Sequence, residues 1–446
     1  MEHSGGYNRK YENWLFSMES NAPIEIFRIA FGVLMLAEAW GAIATGWVRR
    51  TFVDVNYTFP FFGFEWTQVL IGTPMYGVFF LMGVFSIGVM LGYKYRYSIL
   101  FLAILWSLTY LMQKSNYNNH YYLVMVVSWI FVFLPVGKRF ALDAKYNPAI
   151  YRNQIPSWPR LLFMCLIAIV YFFAAINKLY PDWLEARPLT IWMTARADLP
   201  IIGPLLQIDW VPHFLSYAGI GYDLLVVPML LWKRTRWFAI IASLGFHLFN
   251  SAVFQIGIFP YFALAFSIFF FPTKSIEKLV SKDRIPSPAI FNHTPTQKAL
   301  IKYAFAGFIG LMLILPVRHH FIPDDVLWTE AGHRLSWRMM LRTKSGIAHF
   351  TVETDQNKQH RINLRERLGG HQINGVSTRP DMMFTFARYL EKEFLEKGYS
   401  EVSVYVNARV AVNGRPLKQF TDPETDLLDV RWNYFGNQEW VLPRPW

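Results

Sequence analysis

Lys178 stands at the end of a long apolar run, LLFMCLIAIVYFFAAIN, and is followed by Leu-Tyr-Pro-Asp-Trp. An amine at the end of a membrane span can be held partly out of water. Because desolvation disfavours the ammonium form, such a lysine can be neutral and act as a base. The alternative is a lysine that extends to the membrane interface beside Trp183, as lysines at helix ends commonly do. Position alone favours this alternative.

Ionisable residues also occur inside the apolar segments, where each one is costly and therefore a functional hypothesis. Glu25 and Arg28 are three residues apart and can meet on one helix face, which predicts a structural ion pair. Asp223 lies in GIGYDLLVV. It either accepts hydrogen bonds from neighbouring helices or counters a cation, and its position leaves both possibilities open.

Two His/Asn sets complete the polar residues of these segments. Asn118, Asn119 and His120 open one apolar segment, where asparagine can also serve as a simple helix N-cap. His247 and Asn250 are three residues apart on another segment and share one helix face. A hydrogen-bonded core histidine is the structural alternative for His247.

The composition identifies a membrane protein. Of its 446 residues, 53% are hydrophobic and only 17% are charged, whereas a typical soluble protein is about 25% charged. The net charge of +12 comes mostly from short loops between apolar segments. Because topology is encoded in this way, we reject a nucleic-acid role. The single cysteine, Cys165, lies in an apolar segment, which excludes an intrachain disulfide and a thiolate metal cluster. We predict no metal site.

Nine apolar segments are long enough, or nearly so, to cross a bilayer of about 30 Å hydrocarbon thickness. The third, fourth and seventh are short and could tilt or re-enter. The sequence therefore predicts a polytopic α-helical membrane domain over 1–320 with about nine spans. The segments are 23–45, 74–93, 97–113, 120–136, 160–177, 212–232, 236–253, 255–272 and 299–317.

The remaining part, 321–446, is polar and alternating, which predicts a small α+β domain. Its strand signals include EVSVYVNARVAV before an Asn413-Gly414 hairpin turn. The stretch RPDMMFTFARYLEKEFLEKG predicts an amphipathic helix that ends at Gly398. Lysines and arginines are concentrated in alternate loops. This pattern predicts a cytoplasmic N-terminus and places the α+β domain on the outer face.

The predicted topology brings the polar residues together. Lys178, Asn119, His120, His247 and Asn250 all map to the outer ends of their spans, on the side of the α+β domain. Polar residues with unrelated structural roles would be distributed over both leaflets. A cluster of them beneath the outer domain therefore indicates an active site. Its apolar walls suit a large apolar ligand that enters from the lipid.

These residues lie in stretches that resemble the vitamin K-dependent gamma-glutamyl carboxylases, including bacterial homologues with the horizontally transferred transmembrane domain. The order and spacing of the stretches carry the resemblance. They are FRIAFG (27–32), NYNNHYYL (116–123), VYFFAAINKLYPDW (170–183), the Asp223 segment, FHLFNSAVFQIGIFPY (246–261), SWRMM (336–340) and NARVAVNGRPLKQFTDP with the later tryptophans.

The resemblance implies an enzyme that uses reduced vitamin K (phylloquinol or menaquinol), O₂ and CO₂. It would convert glutamate in a protein or peptide to γ-carboxyglutamate and the quinol to its 2,3-epoxide. Lys178 would be the base that deprotonates the quinol. Asn119, His120, His247 and Asn250 would line the quinol site, with His120 also catalytic. Met339 and Met340 would cover that site from the outer domain.

The resemblance also assigns the glutamate substrate to Trp337, Arg338, Arg342 and Lys344. Arg338 departs from the animal carboxylases, which have an acidic residue there, so peptide specificity can differ. The missing family disulfide and the short outer domain predict a bacterial inner membrane. Two other functions stay open: a quinol epoxidase with weak or no carboxylation, and a non-catalytic membrane partner protein that uses the same bundle.

Overall fold

The structure is a computed structural model that describes residues 12–280, 293–355 and 358–446. It consists of a helical bundle followed by a small sheet domain. In chain order the helices are α1 (Ala22–Ala44), α2 (Pro74–Leu91), α3 (Tyr95–Met112), α4 (Asn119–Phe133), α5 (Leu142–Tyr146), α6 (Trp158–Ile176), α7 (Pro181–Leu184), α8 (Arg187–Thr194), α9 (Ile202–Leu206), α10 (Val211–Leu231), α11 (Arg236–Phe254), α12 (Phe259–Phe266), α13 (Thr273–Val280), α14 (Pro295–Val317), α15 (Val326–Thr329), α16 (Gly370–Thr378) and α17 (Pro380–Glu396). The strands are β1 (Met18–Ser20), β2 (Gln154–Pro156), β3 (Lys344–Thr354), β4 (Gln359–Arg361), β5 (Val402–Val412) and β6 (Lys418–Gln419).

The polytopic helical architecture is confirmed. Within the described ranges, seven helices are long and apolar enough to cross a membrane: α1, α2, α3, α6, α10, α11 and α14. The number rises to eight if α12, which a 3₁₀ turn extends to Phe270, is counted with α13 as one bent span. This is fewer than the nine predicted spans.

Prolines account for the two predicted spans that fall short. The fourth became α4, which has 15 residues and ends two positions before Pro135. The eighth breaks at Pro272, where α12 with its 3₁₀ extension and α13 meet at 106°. A proline removes a helical hydrogen bond and disfavours a helical residue before it, and at these two places the helix ends or bends. Pro228 and Pro316, by contrast, lie inside α10 and α14 near their C-terminal ends.

The predicted Glu25–Arg28 pair is present and joins three parts of the bundle. Arg28 Nε lies 2.8 Å from Glu25 Oε2, and both side chains are fully buried. The guanidinium also donates to the carbonyl oxygens of Met90 and Phe140, while Glu25 accepts from the Lys138 amide. A buried pair with this many hydrogen bonds satisfies the carbonyl groups at the end of α2, where they have no helical partner.

The C-terminal domain is a four-stranded antiparallel sheet in the order β4-β3-β5-β6. The long strands β3 and β5 pair from Lys344–Val412 to Thr354–Val402. Helices α16 and α17 pack on one face, and the domain core lies between, around Phe350, Val406 and Phe386. The alternating pattern of the sequence predicted this half-buried sheet, because successive side chains point to opposite faces.

Both local signals of this domain are borne out. Asn413 and Gly414 have φ values of 52° and 76°, the left-handed conformations of a tight hairpin turn. The predicted helix is α17, which ends at Glu396 just before Gly398 with φ of 93°. The domain therefore folds largely as local chemistry dictates.

The sheet domain contacts the ends of two membrane helices. Asp182, on the short helix α7 that follows α6, pairs with the Arg415 guanidinium and accepts from Asn413 Nδ2 at 2.8 Å. Lys114, just after α3, lies 3.2 Å from Asp381 Oδ2 at the start of α17. These ionic contacts fix the domain above the bundle ends that carry Asn119 and Lys178.

Candidate active site

Lys178 lies just beyond the end of α6, which finishes at Ile176 because the chain turns there toward Pro181. The residue is only 7% exposed. Its Nζ forms a close ion pair with Asp223 Oδ2 on α10 and lies 5.4 Å from the centroid of the Trp183 ring. Lys178 is thus folded into the protein and does not extend along the helix end into solvent.

Asp223 counters a cation, which was one of the two possibilities that its position left open. The pair joins α6 to α10 across 45 residues of sequence. Both groups are buried, so each needs the other to offset the loss of its hydration. A carboxylate in contact also stabilises an ammonium.

His247 is buried on α11, and its Nε2 lies within hydrogen-bond distance of two tyrosine hydroxyls. Its Nε2 lies 2.9 Å from Tyr171 Oη and 3.1 Å from Tyr222 Oη. Tyr222 precedes Asp223, so His247 adjoins the ion pair. Its Nδ1 is buried without a hydrogen-bond partner in the described part of the chain. Asn250 follows on the same helix and is half-buried.

His120 lies in the first turn of α4, which Asn118 caps by accepting from the Tyr121 amide at 2.7 Å. The N-cap alternative thus applies to Asn118. The His120 ring stacks on Phe259 with centroids 3.7 Å apart, and Phe259 lies 6.1 Å from the His247 ring. One phenylalanine therefore separates the two predicted histidines.

Asn119 and Asn177 connect the membrane helices to the segment 335–340. Asn119 Nδ2 donates to the Arg338 carbonyl at 2.9 Å. The Arg338 guanidinium donates to Asn177 Oδ1 at 2.8 Å, beside Lys178. Trp337 is buried and packs its ring on Tyr122 at 4.7 Å. The segment thus lies directly over the residues that the sequence singled out.

Three residues of this segment have a strained backbone. Leu335, Trp337 and Met340 have φ values of 59°, 52° and 47°. Such values cost non-glycine residues of order 1–3 kcal/mol each, and the strain persists only where surrounding contacts impose it. Here the contacts come from Asn119 and from Tyr117, whose hydroxyl accepts from the Leu335 amide at 2.6 Å.

A cavity of about 170 Å³ lies between α4 and this segment, and we call it the methionine cavity. Six predicted residues line it: Asn119, His120, Arg338, Met339, Met340 and Arg342. Lys178, His247, Asn250, Trp337 and Lys344 do not line it. The structure therefore divides the predicted residues into two neighbouring sets, which the Asn177–Arg338 contact joins.

Two protein-family models together match almost all of the chain. Residues 16–274 match the HTTM domain, and residues 297–445 match the lumenal domain of vitamin K-dependent gamma-carboxylase. The chain belongs to the vitamin K-dependent gamma-glutamyl carboxylase family. Membership indicates a vitamin K-dependent carboxylase type of function. No solved structure matches the chain.

The family's lumenal domain contributes an acidic residue that the sequence analysis missed. The Glu330 side chain is only 9% exposed, and it binds the Arg342 guanidinium at 3.0 Å and Lys344 Nζ at 3.3 Å. Burial alone would raise the pKa of Glu330, but Arg342 and Lys344 outweigh burial and hold it well below its usual range. Burial lowers the pKa of Lys344 to about 8. Two of the three predicted substrate cations, Arg342 and Lys344, are thus already paired with Glu330.

Further titratable groups of the lumenal domain surround the same cavity. His333, Arg334 and Arg379 line it, and none of them was singled out from the sequence. Burial lowers the pKa of Arg379 to about 10, and it brings the pKa of His333 well below its usual range. The one available signal was the charge density of TEAGHRLSWRMMLR beside the family motif. Within the described residues, no group of three or more His, Cys, Asp and Glu could hold a metal ion.

Proposed function

We propose that this protein carboxylates the γ-carbon of glutamate in a protein or peptide, at the expense of reduced vitamin K, O₂ and CO₂. The products would be γ-carboxyglutamate, vitamin K 2,3-epoxide and water. The observation that carries the proposal is the buried Lys178–Asp223 pair, which Asn177 and Arg338 link to a cationic cavity beneath the lumenal domain.

Lys178 and Asp223 would act as one proton-accepting unit. An ammonium beside a carboxylate and an amine beside a carboxylic acid have the same total charge. A proton can therefore move within the pair without placing a net charge in the apolar bundle. In the form with the amine, Lys178 Nζ can accept a proton from a hydroxyl within hydrogen-bond reach.

The residues around this pair fit a reduced naphthoquinone. Buried His247 Nδ1, Trp337 Nε1 and Arg338 Nε have no hydrogen-bond partner in the described part of the chain, and buried polar atoms normally have one. Each can bond a ring oxygen, while the His120 and Phe259 rings offer flat apolar faces. When bound, the quinol would react with O₂, supply the base that removes the glutamate γ-proton, and leave as the epoxide.

The methionine cavity would receive the glutamate side chain. Its volume of about 170 Å³ suits a single side chain, because pockets for drug-sized ligands begin at roughly 300 Å³. Arg338, whose buried Nε has no hydrogen-bond partner in the described residues, can bind a carboxylate. Arg342 and Lys344 stay paired with Glu330 beside it. Met339 and Met340 would exclude the water that otherwise protonates a carbanion before CO₂ adds.

The proposed setting is a bilayer that delivers the lipid-soluble quinol. We propose a cytoplasmic N-terminus and an extracytoplasmic lumenal domain in a bacterial inner membrane. The charge distribution of the loops supports this orientation. No nucleic acid takes part in the proposed reaction.

The test is a pair of assays on the purified protein in lipid: epoxide formed from reduced vitamin K, and labelled CO₂ fixed into a glutamate peptide. We expect both products, and we expect Lys178→Ala to abolish both. Lys233→Ala is the matched control, because Lys233 is an exposed lysine beyond the end of α10. Epoxide without fixed CO₂ would reduce the function to a quinol epoxidase. Turnover that survives Lys178→Ala would refute the assignment of the base.

A further inference from the structure

A second cavity adjoins the methionine cavity and has no part in the reaction described so far. It has a volume of about 220 Å³ and shares Glu330 and Arg334 as lining residues with the methionine cavity. Phe62, Trp432 and Tyr434 form one wall, with Phe62 and Trp432 ring centroids 5.2 Å apart. We call it the aromatic cavity.

Arg318 supplies the chemical character of the aromatic cavity. It lies just after α14, is half-buried, and donates to the Arg334 carbonyl. No carboxylate lies within ion-pair distance of its guanidinium in residues 12–280, 293–355 and 358–446. Its remaining donors are therefore available to an anion, and a guanidinium binds carboxylates with two parallel hydrogen bonds.

The other charges of the aromatic cavity are already matched. Lys114 and Arg334 both bind Asp381, at 3.2 Å and 2.5 Å. Lys114 also donates to Thr385 Oγ1 at 2.8 Å and lies 4.5 Å from the Phe62 ring centroid. These contacts leave Arg318 as the cation of this cavity without a carboxylate partner in the described residues.

The two cavities together have an excess of positive charge. The six lining cations outnumber the two lining carboxylates, so the region attracts anionic groups of a ligand. The cations are Lys114, Arg318, Arg334, Arg338, Arg342 and Arg379, and the carboxylates are Glu330 and Asp381.

We propose that the aromatic cavity is a second subsite for the acceptor peptide and binds an acidic side chain that flanks the reacting glutamate. Arg318 holds this flanking carboxylate while the reacting glutamate occupies the methionine cavity. The shared Arg334 separates the two side chains. The proposal rests on the proposed function for the identity of the peptide, and it adds a preference for peptides with a second acidic residue.

Binding of fluorescent peptides, followed by anisotropy, tests this subsite without any turnover. One peptide carries a single glutamate, and its partners carry a second glutamate at each neighbouring position in turn. We expect one flanked peptide to bind the wild-type protein on the order of tenfold more tightly than the single-glutamate peptide, as a charge-assisted hydrogen bond allows.

Two variants locate the preference. Arg318→Gln keeps a donor for the Arg334 carbonyl, and it should abolish the flank preference while the single-glutamate peptide binds unchanged. Tyr434→Glu adds a carboxylate at a side chain that is 67% exposed, so it threatens the fold little and should also weaken the flanked peptide. Lys298→Gln, near the start of α14 and far along the chain from Arg318, is the control and should retain the preference.

The outcomes distinguish this proposal from the proposed function. Equal binding of flanked and unflanked peptides by the wild-type protein overturns the second subsite, whether or not CO₂ is fixed. A preference that persists in both Arg318→Gln and Tyr434→Glu overturns its location. Failure to form epoxide or to fix CO₂ contradicts the proposed function. The second subsite is still decided by peptide binding, because that assay does not require turnover.

Discussion

Asp223→Asn tests the central pair of the candidate active site. Both side chains are almost fully buried, 9% exposed for Lys178 and 5% for Asp223, so the substitution leaves an ammonium without its counter-charge. Breaking a buried pair in this way costs about 3–5 kcal/mol. The asparagine oxygen can still accept from Lys178, and we therefore expect a loss at the lower end of that range, about 3 kcal/mol.

The comparison with Lys178→Met and with the double variant separates stability from chemistry. Lys178→Met leaves a buried carboxylate alone and should destabilise the protein at least as much as Asp223→Asn does. The double variant has no buried charge at this position, so its stability should return to within about 1–2 kcal/mol of wild type, since apolar replacement of buried pairs is often neutral. Its activity should not return, because the amine is gone.

The measurements are thermal unfolding of the four proteins in one detergent and the rate of epoxide formation in lipid. We expect Asp223→Asn to lower the rate by about 10²–10⁴, the range for a positioned acid–base group. The reasoning fails if Asp223→Asn keeps the wild-type rate. It also fails if the double variant unfolds no later than the single variants, because the pair would then not be energetically coupled.

Three further predictions concern the surroundings of the pair. Because burial brings the pKa of Lys344 to about 8, its positive charge is present below that pH and is lost as the pH rises through it. The KM for a glutamate peptide should thus increase above that pH in the wild type and stay flat in Lys344→Arg. His247→Phe removes the partner of two buried tyrosine hydroxyls and should cost about 1–3 kcal/mol in thermal unfolding, with weaker quinol binding, whereas Asn250→Ala should cost less. Asp182→Asn breaks the contact with Arg415 and should speed limited proteolysis of the lumenal domain, and an unchanged rate of cleavage would mean that this contact does not hold the domain.

The elements of this fold were largely predictable because their signals are local. Apolar runs of span length predict helices, and Asn413-Gly414 predicts its own turn. The sequence predicted about nine spans, and seven or eight helices of the described residues are long and apolar enough to cross a membrane. The difference lies at Pro135 and Pro272, where one apolar run gives a short helix and another gives a bent pair.

The charge pairs that involve the candidate site residues were not predictable from spacing alone. Spacing along one helix predicted Glu25 with Arg28, three positions apart. No such rule links Lys178 to Asp223, because their contact depends on how α6 packs against α10. Glu330 was not predicted for the same reason, because its contact with Lys344 forms only in the folded protein. Which charges meet is decided by tertiary packing, and this determines which cations remain for a substrate.

The contacts of Arg338 limit how domains can be exchanged between proteins of this family. Asn119 and Asn177 belong to the membrane bundle, yet their hydrogen bonds go to a residue of the lumenal domain. A chimaera that joins this bundle to another lumenal domain would separate those partners at the boundary it creates. Recombination within the family would therefore preserve the candidate active site only where Arg338 and its two asparagine partners are inherited together. Each asparagine lies more than 150 positions from Arg338 in the chain.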